Sequence, residues 1–160
     1  MKPLPPTQRP NWRYIAAEMV PQWCNVSARD MHYAIVGCEA SLFGDSAAAT
    51  MRTSVISCGD GVVVLRCIRG TETDVEAVLA TVTDVGNISV ALHPFATSGT
   101  LHALRKKIRP CSRPSEEGNC KIGENTYRIL GISGQKVDLV QQGIKQTTAL
   151  YFNKEDLEDF

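Results

Sequence analysis

The chain has little of what catalysts are usually built from. Among its 160 residues are three histidines, at 32, 93 and 102, and no Ser, Cys or carboxylate pair stands beside them in a catalytic pattern. No active site of its own is expected. Aromatic residues make up 6% of the chain, and the valine-rich stretch 62–69 has none. A sheet that reads single-stranded RNA by stacking bases on its central strands is therefore not expected, Tyr14 being the one candidate platform. No glycine-rich phosphate loop precedes a helix, because Gly59-Asp60-Gly61 joins two apolar runs. The six cysteines, at 24, 38, 58, 67, 111 and 120, contain no Cys-x-x-Cys pair. Cys111 and Cys120, with His93 and His102 upstream, lack ligand spacing, so free thiols and no metal site are expected. No run approaches the ~20 apolar residues of a membrane span, and the N-terminus is Pro-rich where a signal peptide would be apolar. A cytoplasmic protein is the expectation.

Net charge is also missing: 17 basic residues balance 17 acidic ones. The balance hides a segregation. Residues 1–17 hold Lys2, Arg9 and Arg13 with no acid, and 85–115 hold only bases. The end of the chain carries Glu155, Asp156, Glu158 and Asp159 against Lys154. Fields are screened within roughly 8 Å at physiological salt, so local sign decides whether phosphate is attracted.

Pro3, Pro5, Pro6 and Pro10 forbid a helix over 1–12 and favour an extended arm. Residues 13–20 read as a first strand. Ser27 and Asp30 form a capping box, and Met31, Ile35, Cys38 and Leu42 repeat at helical spacing as one buried stripe, stopped by Gly44. Met51–Ser57 and Val62–Arg69 read as a hairpin around Gly59-Asp60-Gly61, the second strand apolar enough to be central. Gly70 breaks that strand. Thr73 and Glu76 read as a second capping box, with Val75, Val78, Leu79 and Val82 as the stripe of a second helix that Gly86 ends. Ile88–Leu92 is the next strand. The order strand-helix-strand-strand-helix-strand predicts an α+β, ferredoxin-like split βαβ fold, with an antiparallel sheet and both helices on one face. It assigns 1–12 to the arm, 13–109 to the domain, 110–125 to a loop, and 126–160 to a C-terminal β-rich extension with an acidic tail. Short strands are expected at 126–132, 136–140 and 147–152 in that extension.

Residues 93–100 form a small-residue corner running into a basic segment. Ser98 is the expected helix N-cap, Gly99 lets backbone approach closely, and Arg105, Lys106, Lys107 and Arg109 follow. The physical suggestion is a surface that faces phosphate.

Leu4-Pro5-Pro6-Thr7-x-Arg9, Arg13-Tyr14-Ile15, Leu42-Phe43-Gly44-Asp45, the valine-rich strand ending in Arg66 or Arg69, and Ser98-Gly99-Thr100 occur in an order that resembles the archaeal ribonuclease P protein component 2 family. Its eukaryotic counterparts belong to ribonuclease P and ribonuclease MRP. The resemblance covers about residues 3–109, and 111–160 extend beyond most members. It implies a ferredoxin-like, noncatalytic subunit of the ribonucleoprotein that removes the 5′ leader of precursor tRNA. The partners it implies are ribonuclease P RNA, precursor tRNA and a larger barrel-folded ribonuclease P protein, two copies of each protein forming a heterotetramer. Magnesium would sit on the RNA, with no cofactor on this chain. The RNA contacts expected are Arg9, Arg13, Ser98, Gly99, Thr100, Arg105, Lys106, Lys107 and Arg109; Phe43 and Gly44 are a candidate partner contact. The alternative is a ferredoxin-like regulatory domain that binds a small molecule at the Ser-Gly-Thr corner. An acylphosphatase-like enzyme is set aside, because Pro21-Gln22-Trp23-Cys24 occupies the place of its phosphate loop.

Overall fold

The computed structural model describes residues 10–22, 25–108, 118–133, 135–141 and 149–153. The chain divides into two compact units, Met1–Cys111 and Ser112–Phe160.

The first unit begins with β1 (Trp12–Val20), α1 (Ala28–Phe43), α2 (Asp45–Met51), β2 (Ser54–Gly59) and β3 (Val62–Ile68). It continues with α3 (Glu72–Thr81), β4 (Asp84–Val85), β5 (Ile88–Ser89), β6 (Ala91–Ser98) and α4 (Leu101–Arg105). Four strands form one sheet in the order β2-β3-β1-β6, with every neighbouring pair antiparallel. The strand alternation sorts side chains to two faces. Ile15, Ala17 and Met19 of β1, Val63, Leu65 and Cys67 of β3 and Leu92 of β6 meet Met31 and Ile35 of α1 and Val75, Val78 and Leu79 of α3 in the main core. Each of the valine, leucine, isoleucine and methionine side chains among them contributes ~1.5–3 kcal/mol by leaving water. Ala16 and Val64 point the other way, where Leu104 of α4 covers them.

The Ser27 cap forms as expected. Ser27 Oγ accepts from the Asp30 amide at 3.0 Å and donates to the Asp30 carboxylate at 2.7 Å. Several expectations need correction. The stripe of α1 does not run to Leu42, which is 49% exposed; Glu39 takes the buried position instead. Gly44, at φ 80°, ends α1, but a short α2 follows, and Met51 is its buried last residue, not the start of a strand. The alanines at 47–49 favour helix, and β2 starts only at Ser54. α3 starts at Glu72, so Thr73 is inside it and not its cap; the Glu72 carboxylate accepts from the Gly70 amide. Gly86, at φ 64°, turns between β4 and β5 and does not end α3, which stops at Thr81.

The largest revision concerns 93–98. These residues extend β6 and are not yet a corner. Proline lacks the ladder N–H, but β6 is an edge strand, where Pro94 is tolerated. A register shift between Ala17↔Pro94 and Ala16↔Ala96 leaves Phe95 bulged and 47% exposed.

The second unit is an antiparallel four-stranded sheet, β10-β9-β8-β7, from β7 (Asn119–Ile122), β8 (Asn125–Ser133), β9 (Lys136–Gln141) and β10 (Ala149–Asn153). Tyr127, Val137 and Leu139 form its core. β7 falls where the sequence suggests a loop; Gly123, at φ 61°, makes the turn that lets 119–122 pair back on β8.

Candidate nucleic-acid interface

Ser98 is the last residue of β6, and its pairing with Tyr14 keeps its backbone extended. It lies three residues before α4 (Leu101–Arg105) begins, too early to be the residue that caps it. Thr100 does so instead: its backbone is extended and its Oγ1 accepts from the Ala103 amide at 3.2 Å. α4 is only five residues long. Leu104, fully buried, pins it to the sheet, with Leu101 and Ile108 alongside. That anchoring leaves Arg105, Lys106 and Lys107 exposed on the outer side. Lys107 Nζ donates to the Thr97 carbonyl at 3.1 Å. Arg9 and Arg109 lie outside the described residues.

Arg13 sits differently. Its Nε meets Glu72 Oε1 at 2.9 Å, and its Nη1 lies where a side chain on Gly99 would begin. Burial alone would raise the Glu72 carboxyl; its own amide, the Gly70 amide and the Arg13 guanidinium outweigh that and hold it below its ordinary value. Glu76 Oε1 accepts from Thr97 Oγ1 at 2.7 Å. The two α3 carboxylates nearest the corner are thus occupied. Among the described residues, Arg105 and Lys106 have no carboxylate partner.

Sequence reasoning missed a second group, on the sheet face opposite the α1–α3 layer. Trp12, assigned to the arm, is the first residue of β1 and shares a face with Tyr14. Arg66 pairs across with Tyr14, and its guanidinium lies 4.5 Å from the Trp12 ring centroid. Arg52, at the αL end of α2, lies 5.7 Å from the same centroid. Residue parity in β1 and β3 hinted at this grouping, but the register that sets Arg66 beside Tyr14 is a long-range fact.

Leu42 and Phe43 are both exposed at the end of α1, beside Gly44. Among the described residues no three His, Cys, Asp or Glu side chains converge as metal ligands, and no helix is long and apolar enough to cross a membrane. Cys38, Cys58, Cys67 and Cys120 are free; burial pushes the Cys67 thiol up to about 11.

Residues 13–109 match the model of the Rpp14/Pop5 family, and the chain belongs to that family. It is 42% identical to ribonuclease P protein component 2 of Methanoculleus marisnigri over 159 residues, 99% of each chain. It is 37% identical to the protein of the same name from Methanosphaerula palustris over 160 residues, again 99% of each. A chain in the cryo-EM structure of yeast ribonuclease MRP superposes with a TM-score of 0.47 at 9% identity, covering 59% of this chain and 78% of that one, too low to carry an argument. The two full-length matches include 111–160, so that segment is shared with these relatives and does not extend beyond them.

Proposed function

We propose that this chain is a noncatalytic protein subunit of ribonuclease P, the ribonucleoprotein that removes the 5′ leader of precursor tRNA. The observation that carries this reading is the end-to-end similarity to two proteins named ribonuclease P protein component 2. The order of β1, α1, β2, β3, α3 and β6, with the sheet order β2-β3-β1-β6, fits the ferredoxin-like split βαβ arrangement.

The chemistry belongs to the RNA and to magnesium held there; among the described residues no cluster of His, Cys, Asp or Glu offers a metal site. The protein contributes positive charge on a rigid support. Arg105, Lys106 and Lys107, exposed beside a buried anchor, contact phosphates, joined by Arg9 and Arg109. Ser98, Gly99 and Thr100 line the same corner, where Thr100 can still donate its hydroxyl proton. Arg13 acts there while held by Glu72. Leu42, Phe43 and Gly44 form a contact for the larger, barrel-folded ribonuclease P protein, in a heterotetramer with two copies of each. The setting is the cytoplasm, away from membranes.

The test is the Arg105→Ala/Lys106→Ala/Lys107→Ala variant, assayed for binding to ribonuclease P RNA across a salt series. For each phosphate that the protein no longer neutralises, the slope of log K against log salt falls by about one, by analogy with ~0.9 per phosphate on duplex DNA. A slope and a reconstituted cleavage rate equal to those of the unaltered chain would remove the assignment.

A further inference from the structure

Trp12, Tyr14, Arg66 and Arg52 gather two guanidinium groups and two aromatic rings on the sheet face away from α1 and α3. Trp12 and Tyr14 are two residues apart on β1 and so project from the same face. Arg66 stands directly across from Tyr14, with Ser54 on its other side and Ser98 beyond Tyr14. All three of Trp12, Tyr14 and Arg66 are half-buried, and Arg52 is exposed.

Two features separate this group from ordinary packing. The first is charge. Arg66 and Arg52 approach the same indole, at 4.5 and 5.7 Å from its centroid, and neither has a carboxylate partner among the described residues. β2, β3 and β6 carry no acid at all. The one carboxylate that β1 places on this face, Glu18, lies toward the other end of the strand and accepts from Gln22 Nε2 at 2.6 Å. Arg66 Nε, shielded from solvent, finds no hydrogen-bond partner among the described residues. Two convergent cations with no neutralising group among the described residues leave room for an anion. The second is backbone. Arg52 holds φ 49° and ψ 41°, a left-handed conformation in which glycine is favoured. Arg52 adopts that conformation with its guanidinium turned toward Trp12.

We propose that this face binds an unpaired stretch of RNA, with a base stacked on Trp12 and its phosphate held by Arg52 and Arg66. The mode is tolerant of sequence, since every base has a π face. It rests on the ribonuclease P reading and adds a second RNA contact, distinct from the basic residues after the Ser-Gly-Thr corner. Leu104 of α4 covers Ala16 and Val64 farther along the same face, with Tyr14 packed against that cluster, and so bounds the site to the end at Trp12.

The experiment uses the full chain carrying Trp23→Phe, which leaves Trp12 as its only tryptophan. Oligouridine and an abasic oligomer of equal length, with the same phosphates, are titrated while Trp12 fluorescence is followed. Oligouridine should quench Trp12 and bind about tenfold more tightly than the abasic strand. Arg52→Gly, which removes the cation while suiting the backbone, should keep or raise the melting temperature. It should also lower the salt slope for oligouridine by about 0.7, the single-strand value per phosphate. Equal binding of the two oligomers without quenching, or an Arg52→Gly variant that binds oligouridine unchanged, overturns the proposal. So does quenching by the partner protein with none by oligouridine, which would give the face to a protein contact. If those results come while the Arg105→Ala/Lys106→Ala/Lys107→Ala variant still weakens binding to ribonuclease P RNA, only the sheet-face site falls. If that variant also changes nothing, the broader reading falls with it.

Discussion

A Cβ built on Gly99 would lie 2.9 Å from Arg13 Nη1, so the guanidinium of the first strand occupies the space that the glycine after β6 leaves open. The two residues face each other just past the Tyr14↔Ser98 rung. Gly99 is needed here for what it lacks, since the structure gives it no left-handed φ. The close approach expected at this glycine is made by the protein's own arginine, which Glu72 holds from the other side.

Gly99→Ala should therefore displace Arg13 and weaken its pair with Glu72. The destabilisation expected is about 0.5–1 kcal/mol, because a flexible side-chain end can give way and a half-exposed ion pair is worth ~0.2–1 kcal/mol. In an Arg13→Ala background the same glycine substitution should cost nothing. A double-mutant cycle by urea denaturation reads the coupling directly, and simple additivity would show that the contact is idle.

Caps separate the observed helix starts from those the sequence suggested. Ser27→Ala should cost about 1 kcal/mol, because the Asp30 amide loses its acceptor. Thr73→Ala, inside α3, should be close to neutral. Equal losses in the two variants, measured by thermal unfolding, would put the start of α3 at the wrong residue.

Two glutamates should respond to pH with opposite signs. Glu39 is 1% exposed; burial raises its carboxyl, while Thr53 and the charge of His32 draw it back only in part. Glu39 Oε1 and Thr53 Oγ1 are both buried and find no hydrogen-bond partner among the described residues. A raised carboxyl stabilises the fold fully below its ordinary value of 4.5, and this contribution is lost as pH rises through the folded value. Glu39→Gln should then raise the melting temperature at neutral pH, with the gain shrinking toward pH 4. Glu72 is lowered, so its contribution is present above 4.5 and lost as pH falls through the folded value. Glu72→Gln should cost stability at neutral pH and little in strong acid. Two variants with parallel melting profiles from acid to neutral pH would contradict both assignments.

Where a signal was local, the sequence was legible. Ser27-Ala28-Arg29-Asp30 caps its helix as its spacing implies, and Asp60-Gly61, with φ of 51° and 71°, makes the hairpin turn between β2 and β3. Val62–Ile68 takes the interior place that its apolar run implies. What escaped depended on partners distant in the chain. Pro94 argues against a strand until β6 is known to be an edge, and Ser98 looks like a cap until the helix is known to start only at Leu101. Trp12 and Arg66 are far apart in sequence and meet only through the β1–β3 register. The basic segment at 105–107 was visible from composition; the burial of Leu104 that aims it outward was not.

On the proposed function, the chain supports a reaction that RNA performs. The most direct measurement of this is precursor-tRNA cleavage by ribonuclease P RNA reconstituted with its protein partners, with and without this chain, at limiting magnesium. Omission should sharply lower the rate of 5′ leader removal, and digestion of the RNA should abolish it with this chain present. An unchanged rate on omission, or cleavage by the chain after the RNA is destroyed, would contradict that claim.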